Sequence, residues 1–369
     1  MKRAGVYIHI PYCVSKCAYC DFLSRPGKTD EMERYAESLS DEIESSEELS
    51  ECECDTVFLG GGTPTAMPPF LLERIFKSLY VRTTILAGAE VTAEANPGTL
   101  GPETLGALRH MGVNRLSVGL QAWQGRLLRT LGRAHGAAEF AAQYENAINA
   151  GFSNINVDLI FGIPGQTLPD WRETLEETAS FKPRHISVYG LTAEPGTPLG
   201  DSVREGIASL PDEEAERAMY GYAAGFLKTN GYAQYEISNF AIPGYECRHN
   251  IKYWERSDTL GFGLGAHSFY SGARWSNTRD YAAYISGRRP SGEGKAAVSM
   301  REAFEEAVFL GLRMNKGINA DTFDESYDEK LKDLCDTGFV SLARGRVSLT
   351  EKGIDVSEKV IEILLAGRP

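Results

Sequence analysis

No run of apolar residues in this chain approaches the ~20 that a membrane-spanning helix needs, which excludes a helical spanning topology. Met1 to Gly5 is too short a leader, and too quickly followed by a strand-like run, to read as a signal peptide, so the chain is expected in the cytoplasm. Positive charge is scarce: 38 Lys and Arg against 51 Asp and Glu leave a formal net charge of -13. Phosphate backbones are bound through a basic footprint, so nucleic acid is not expected as a main partner. Peripheral membrane contact through a local basic patch stays open. Cysteine is sparse too, and seven, an odd number, suit a reducing compartment better than a disulfide framework. Internal repeats and low-complexity tracts are absent. The ordinary composition and 369 residues fit a soluble protein with one large domain and a small one.

The cysteines present are unevenly placed. Cys13, Cys17 and Cys20 follow the apolar run Val6-Tyr7-Ile8-His9-Ile10 with Cys-x3-Cys-x2-Cys spacing, putting three thiols on one short loop. A closed zinc site wants four ligands with paired spacings, and no second pair lies at a suitable distance. Cys52 and Cys54, on an expected loop, have no partner motif and read as spectators. They end an acidic stretch, Asp30 to Asp55, in which Met32, Tyr35, Ala36, Leu39 and Ile43 recur at helical spacing. That pattern predicts an amphipathic helix with a solvated acidic face.

Further strand patterns occur at Thr56 to Leu59, Glu90 to Ala95, Arg115 to Gly119, Asn154 to Ile160 and His185 to Tyr189, separated by helical segments. Alternating strand and helix units imply parallel strands with right-handed crossovers. Six units suit a partial (β/α)6 barrel. In such barrels the chemistry gathers at the carboxyl ends of the strands. Here the cysteine loop follows strand one, Gly60-Gly61-Gly62-Thr63-Pro64-Thr65 follows strand two and Glu94 ends strand three. Gln121 follows strand four, Asp158 lies late in strand five and Gly190 follows strand six. Gly61, Gly62 and Thr63 can bring backbone groups close to an ammonium or carboxylate. Glu94, Asp158 and Gln121 can bond ammonium or ribose hydroxyls, and Arg133 can pair with a carboxylate.

The cysteine spacing with Tyr19 before the third cysteine, the glycine loop, Ala93-Glu94-Ala95-Asn96-Pro97, Leu116 to Gln121 and Val157 to Pro164 together resemble the radical S-adenosylmethionine superfamily, and within it the HemN-like branch. The match covers most of residues 5–285. The resemblance implies a [4Fe-4S] cluster on Cys13, Cys17 and Cys20, with the fourth iron left for the amino and carboxylate end of S-adenosylmethionine. It places Tyr7 beside the methionine end and Tyr19 on adenine, with Gly61, Gly62, Thr63, Glu94, Gln121, Arg133, Asp158 and Gly190 as further cofactor residues. The oxygen-independent coproporphyrinogen III oxidases of the branch extend the motif by Cys-x-Cys. Here Cys20 is followed by Asp21 and Phe22, so oxidase activity is expected to be absent.

Cys247-Arg248-His249-Asn250-Ile251-Lys252-Tyr253-Trp254 resembles instead the HNxxYW signature of the haem-chaperone members. That implies haem as cargo, haem-donating and haem-accepting partner proteins, and His249 as axial ligand with Asn250, Tyr253 and Trp254 at the macrocycle. Arg248 and Lys252 are expected at the propionates, and Cys247 and His267 are alternative ligands. A radical enzyme acting on a tetrapyrrole is the competing reading. The motif is expected on a loop outside the barrel, since Pro243-Gly244 precedes it and the glycine-rich Gly261 to Gly265 follows. The latter matches a loose dinucleotide fingerprint but lacks the following helix. The expected domains are a barrel over 1–240, the haem-motif loop and connection over 241–285, and a C-terminal unit over 286–369 after a linker at Ser286 to Lys295. In that unit a helix with Phe304, Val308 and Leu312, a helix around Tyr327 to Cys335, a hairpin turning at Arg344-Gly345 and a last helix resemble a winged helix used for packing. A homodimer is compatible with this reading.

Overall fold

The computed structural model describes residues 1–287 and 293–366. Six strands, β1 (Lys2–Ile10), β2 (Cys52–Gly61), β3 (Thr84–Ala95), β4 (Arg115–Gln121), β5 (Asn154–Phe161) and β6 (His185–Gly190), pair in parallel and in chain order. Helices Thr29–Ser45, Pro69–Arg82, Pro102–His110, Ala137–Asn149 and Leu168–Ser180 occupy the five crossovers. This is the expected partial barrel.

Side-chain alternation gives the sheet its two faces. Val57, Leu59, Val91, Leu116, Val118, Val157, Ile186 and Val188 point to the helices and join one apolar core, each worth roughly 1.5–3 kcal/mol when fully buried. The alternate residues turn inward, and apart from Phe58 most are polar, including Thr56, Glu90, Arg115, Ser117, Asn156 and Asp158. The acidic helix Thr29–Ser45 buries Met32, Tyr35, Ala36, Leu39 and Ile43 as expected. Its Glu42 is not simply solvated, because Oε2 accepts the Gly263 N–H at 3.0 Å.

The sheet is wider than expected. Strands β7 (Ala233–Glu236) and β8 (Asn239–Ala241) extend it antiparallel beyond β6, while β9 (Thr259–Phe262) runs parallel beside β1. β10 (His267–Tyr270), β11 (Ala273–Ser276) and β12 (Glu293–Ala297) follow on that edge, making twelve strands. The added strands hold three to five residues each, too few to show a period. Cys52 and Cys54 also differ from expectation: they are buried in β2 rather than placed on a loop.

Residues 241–285 are therefore not a loop and connection. They contain the helix Arg248–Trp254 and strands β9 to β11. β9 is followed by a strand, which removes the dinucleotide reading. Gly261 is required because a Cβ there would lie 2.3 Å from the His267 carbonyl oxygen.

Residues 288–292 of the expected linker lie outside the described residues, and the chain from Glu293 re-enters the sheet as β12. The C-terminal unit follows with helices Met300–Gly311, Asp328–Asp336 and Ser357–Leu365 and a three-stranded sheet of β13 (Ile318–Asn319), β14 (Val340–Ala343) and β15 (Arg346–Leu349). Arg344 and Gly345 make the hairpin turn with φ of 52° and 71°, as two-residue loops demand. This unit has its own core around Val308, Tyr327, Leu334, Val347 and Leu364. Its Glu306 pairs with Arg256 and with Arg274 of β11.

Candidate functional site at the barrel mouth

A cavity of about 680 Å³ opens at the carboxyl ends of the parallel strands. Cys13, Cys17, Cys20 and Tyr19 border it from the loop after β1, and Gly61, Gly62 and Thr63 from the loop after β2. Glu94, Gln121, Arg133, Asp158 and Gly190 complete the group of expected residues that meet there. Tyr7 is the exception: it lines a smaller chamber of about 150 Å³ deeper in the barrel, with its hydroxyl 3.0 Å from His9 Nδ1.

Backbone geometry explains the glycines. The Gly62 N–H donates to Ile10 O at 2.8 Å and the Thr63 N–H to Tyr12 O at 2.7 Å, which binds the glycine loop to the start of the cysteine loop. A Cβ on Gly62 would sit 2.6 Å from Tyr12 O, and one on Gly61 (φ 106°) would strike the His9 ring. Gln121 holds φ at 72°, an uncommon conformation for a side chain and one that clusters at functional sites.

All three cysteine thiols are free and half-buried. Hydrogen-bond donors point at two of the sulfurs. Arg133 Nη1 donates to Cys17 Sγ at 3.3 Å, and Thr63 Oγ1 donates to Cys13 Sγ at 3.4 Å. Thr63 Oγ1 in turn accepts from Asn96 Nδ2 at 2.6 Å, and Asn96 Oδ1 accepts from Arg133 Nη2 at 2.6 Å. One guanidinium thus supports both sulfurs. The network is completed by Nη2 to Gly119 O at 2.7 Å. Nε of Arg133 is buried without a protein partner.

These features fit an iron-sulfur cluster. Donors to sulfur stabilise thiolates and tune a cluster, and three thiols leave one iron of a cubane open. Among the described residues no three His, Cys, Asp or Glu side chains converge on a single ion. In a cluster each thiolate takes its own iron, so the three sulfurs need not meet at one point.

The carboxylates sit below. Burial, then the neighbouring Asp158, pushes Glu94 up to about 8, while its Oε2 accepts the Gly61 N–H at 3.1 Å. Burial raises Asp158 as well, opposed by hydrogen bonds from Ser117 Oγ at 3.1 Å and Asn156 Nδ2 at 2.8 Å. Burial also raises the Tyr19 phenol and the Cys20 thiol. His135, which sequence reasoning passed over, borders the cavity, bonds Leu120 O at 3.3 Å, and is lowered to about 4 by burial and Arg133. Asn96 and Ser117 were missed as well. The polar alternation of Arg115-Leu116-Ser117-Val118 was the available signal for Ser117, and the place of Asn96 directly after the strand that carries Glu94 was the signal for it.

The HNxxYW segment lies elsewhere. Helix Arg248–Trp254 closes the floor of the inner chamber, which His249, Asn250 and Tyr253 line. Glu90 of β3 caps it, accepting the Arg248 N–H at 3.1 Å and the His249 N–H at 3.0 Å. His249 is fully buried, stacked on Phe58, with Nδ1 2.8 Å from Thr56 Oγ1 and Nε2 3.0 Å from Tyr253 Oη. Burial and Lys252 lower it to about 3. The expectation that the motif lies on a loop outside the barrel is therefore corrected: His249 sits on a helix with both ring nitrogens engaged inside the barrel. Arg248 and Lys252 are also committed, to Gly88 O at 2.7 Å and to Asp55 at 2.9 Å. Trp254 packs under Arg313, 4.6 Å from its ring centroid. Cys247 is buried beside Glu90 and pushed up to about 12 by burial, whereas His267 is exposed on β10.

A parallel arc carrying three thiols on the loop after its first strand, with a glycine loop after its second, is the layout of a radical S-adenosylmethionine protein. Residues 7–178 match the Radical SAM superfamily and residues 298–356 the HemN C-terminal domain. The chain is 33% identical to "Heme chaperone HemW" of Lactococcus lactis, covering 99% of this chain and 98% of that one. It is 36% identical to "Heme chaperone HemW" of Bacillus subtilis, covering 96% of each. The solved structure of coproporphyrinogen III oxidase (HemN) from Escherichia coli shares the fold, with a TM-score of 0.85 at 21% identity over 99% of this chain and 90% of that one. The chain belongs to the HemW family of the radical S-adenosylmethionine superfamily, whose members characteristically carry a [4Fe-4S] cluster and S-adenosylmethionine.

Proposed function

We propose that this protein is a haem chaperone: it binds haem and passes it to acceptor proteins, and it carries a [4Fe-4S] cluster and S-adenosylmethionine at the barrel mouth. The observation that carries this reading is the end-to-end likeness to chains named heme chaperone. The Asp21-Phe22 sequence after Cys20 supports it, because the Cys-x-Cys extension of the oxidases is missing.

Cys13, Cys17 and Cys20 would hold the cluster, which supplies an open iron for the amino-acid end of S-adenosylmethionine. Arg133 and Thr63 hold negative charge on the sulfurs. Glu94 and Asp158 accept from the ammonium and ribose groups, Gly61 and Gly62 let the ligand approach the backbone, and Tyr19 covers the adenine side. Haem is cargo. His249 gives its nitrogen to haem iron only when its helix leaves the floor, since both nitrogens are occupied in the closed barrel.

Haem titration of the anaerobically reconstituted protein tests this. Saturable, stoichiometric binding with a His249-dependent Soret band is expected. Binding no stronger than that to an unrelated protein of equal charge overturns it.

A further inference from the structure

A hydrogen-bonded line runs through the barrel from the mouth to the floor. Asp158 borders the mouth cavity and accepts from Asn156 Nδ2 at 2.8 Å. Asn156 Oδ1 lies 2.6 Å from His185 Nδ1. His185 Nε2 lies 2.8 Å from Tyr235 Oη, which accepts the Cys247 N–H at 3.2 Å. Cys247 is the N-cap of helix Arg248–Trp254.

The protons in this line have one consistent arrangement. Asn156 must turn its amide nitrogen to the Asp158 carboxylate, and the same nitrogen donates to Ser117 Oγ at 2.7 Å. Its oxygen then faces two donors, Ser187 Oγ at 3.1 Å and His185 Nδ1. His185 therefore carries its proton on Nδ1 and offers a lone pair at Nε2 to the Tyr235 hydroxyl. That leaves a Tyr235 oxygen lone pair for the Cys247 N–H. Burial holds His185 neutral, so the imidazole cannot donate from both sides at once. The groups facing it are Asn156 and Tyr235, with Arg115 as the nearby charge.

The far end of the line is a short helix beside a chamber. The helix is seven residues long, too short to persist without its packing. Its His249, Asn250 and Tyr253 line the roughly 150 Å³ chamber, so one face of the helix borders open space within the barrel. Its N-terminal N–H groups depend on Glu90 and Tyr235.

We infer that S-adenosylmethionine at the mouth and opening of the haem-motif helix at the floor are thermodynamically linked through Asp158, Asn156, His185 and Tyr235. The inference rests on the proposed function and assigns a regulation to it. A ligand donating to Asp158 keeps the carboxylate charged and fixes the Asn156 amide. The ordered line then holds Tyr235 against Cys247, the helix stays shut and His249 stays buried. Bound S-adenosylmethionine weakens haem binding, and by reciprocity haem weakens S-adenosylmethionine by the same factor. Tyr235 and His185 are positioning residues in this scheme, touching neither ligand.

The test measures haem affinity of the cluster-reconstituted, full-length protein with and without saturating S-adenosylmethionine, and the converse, in the native protein and in Tyr235→Phe. That change keeps the ring and removes two hydrogen bonds of the line. The native protein should show weakening of about fivefold or more in both directions. Tyr235→Phe should bind each ligand alone, with the factor reduced to near one. A native factor of one, a tightening, or a full factor in Tyr235→Phe overturns the inference. Hydrogen exchange of the 248–254 amides gives a second readout independent of haem: S-adenosylmethionine should slow it in the native protein and not in Tyr235→Phe. If haem does not bind, the proposed function fails while exchange still decides the linkage; equal exchange with and without S-adenosylmethionine rejects it, and so does a failure to bind S-adenosylmethionine.

Discussion

Arg133 donates to Cys17 Sγ at 3.3 Å, and the other arm of its guanidinium starts a line through Asn96 and Thr63 that ends on Cys13 Sγ. The guanidinium is admitted because Gly119 has no side chain: a Cβ there would lie 2.5 Å from Arg133 Nη2. Two cysteines on one loop thus share a cationic support from the βα segment after β4.

Each of Cys13→Ala, Cys17→Ala and Cys20→Ala should abolish a stable cluster, since a three-thiol site has none to spare. Iron and acid-labile sulfide content of the reconstituted variants measures this. Near-native content in any one of them removes that cysteine from the ligand set. Cys52→Ala and Cys54→Ala should keep the cluster, because both thiols are buried in β2.

Arg133→Met should leave Asn96 Oδ1 and Gly119 O without their donor, a loss of about 1 kcal/mol for each, since both part-buried acceptors border the open cavity. Denaturant unfolding measures the stability, and a shift in the cluster reduction potential reports the lost donor to Cys17. An unchanged potential would show that this hydrogen bond does not act on the cluster.

Glu94 makes a pH prediction with a definite sign. Its folded pKa, about 8, lies above the ~4.3 of an unfolded glutamate. The fold therefore binds more protons than the unfolded chain between those values, and stability of the ligand-free protein falls as pH rises through that window. The full contribution is about 5 kcal/mol as an upper bound. Glu94→Gln should flatten the decline and become more stable than the native protein near pH 8, while losing S-adenosylmethionine affinity. Parallel pH-stability curves for the two proteins would contradict the assignment.

The same carboxylate shows what a sequence can and cannot disclose. Glu94 ends a strand whose apolar pattern is plain, so its place at the mouth was legible, as were the cysteine loop, the glycine loop and Asp158. The inward polar residues beneath them were less so, because strands flanked by helices read as apolar and Asn156, His185 and Tyr235 come from three separate strands. His249 was misplaced for a related reason. Turn residues on both sides suggested a loop, whereas Glu90, more than 150 positions away, supplies the cap that makes the segment a helix. The short edge strands β7 to β12 carried no periodicity to read.

His249→Ala should remove the axial nitrogen from the haem complex and also cost stability. The truncation leaves a cavity and deprives Thr56 and Tyr253 of a partner, a loss of about 2–4 kcal/mol. In the native protein His249 is neutral when folded, at about 3, and protonated when unfolded below about 6.5. It therefore withdraws stability as pH falls from 6.5 toward 3. The variant should lose that part of the acid sensitivity, as thermal unfolding at pH 5 and pH 7 would record. A Soret spectrum and affinity equal to the native protein's would exclude this ligand and turn attention to Cys247 and His267.

A haem chaperone carries haem and does not make its precursor, and the two activities can be measured side by side. The anaerobically reconstituted protein, supplied with S-adenosylmethionine and a reductant, should be given coproporphyrinogen III in one reaction, and haem followed by an apo-haemoprotein in another. Stoichiometric haem uptake, its delivery to the apo-protein and no protoporphyrinogen IX are expected. Multiple turnovers of protoporphyrinogen IX without haem delivery would contradict the chaperone reading.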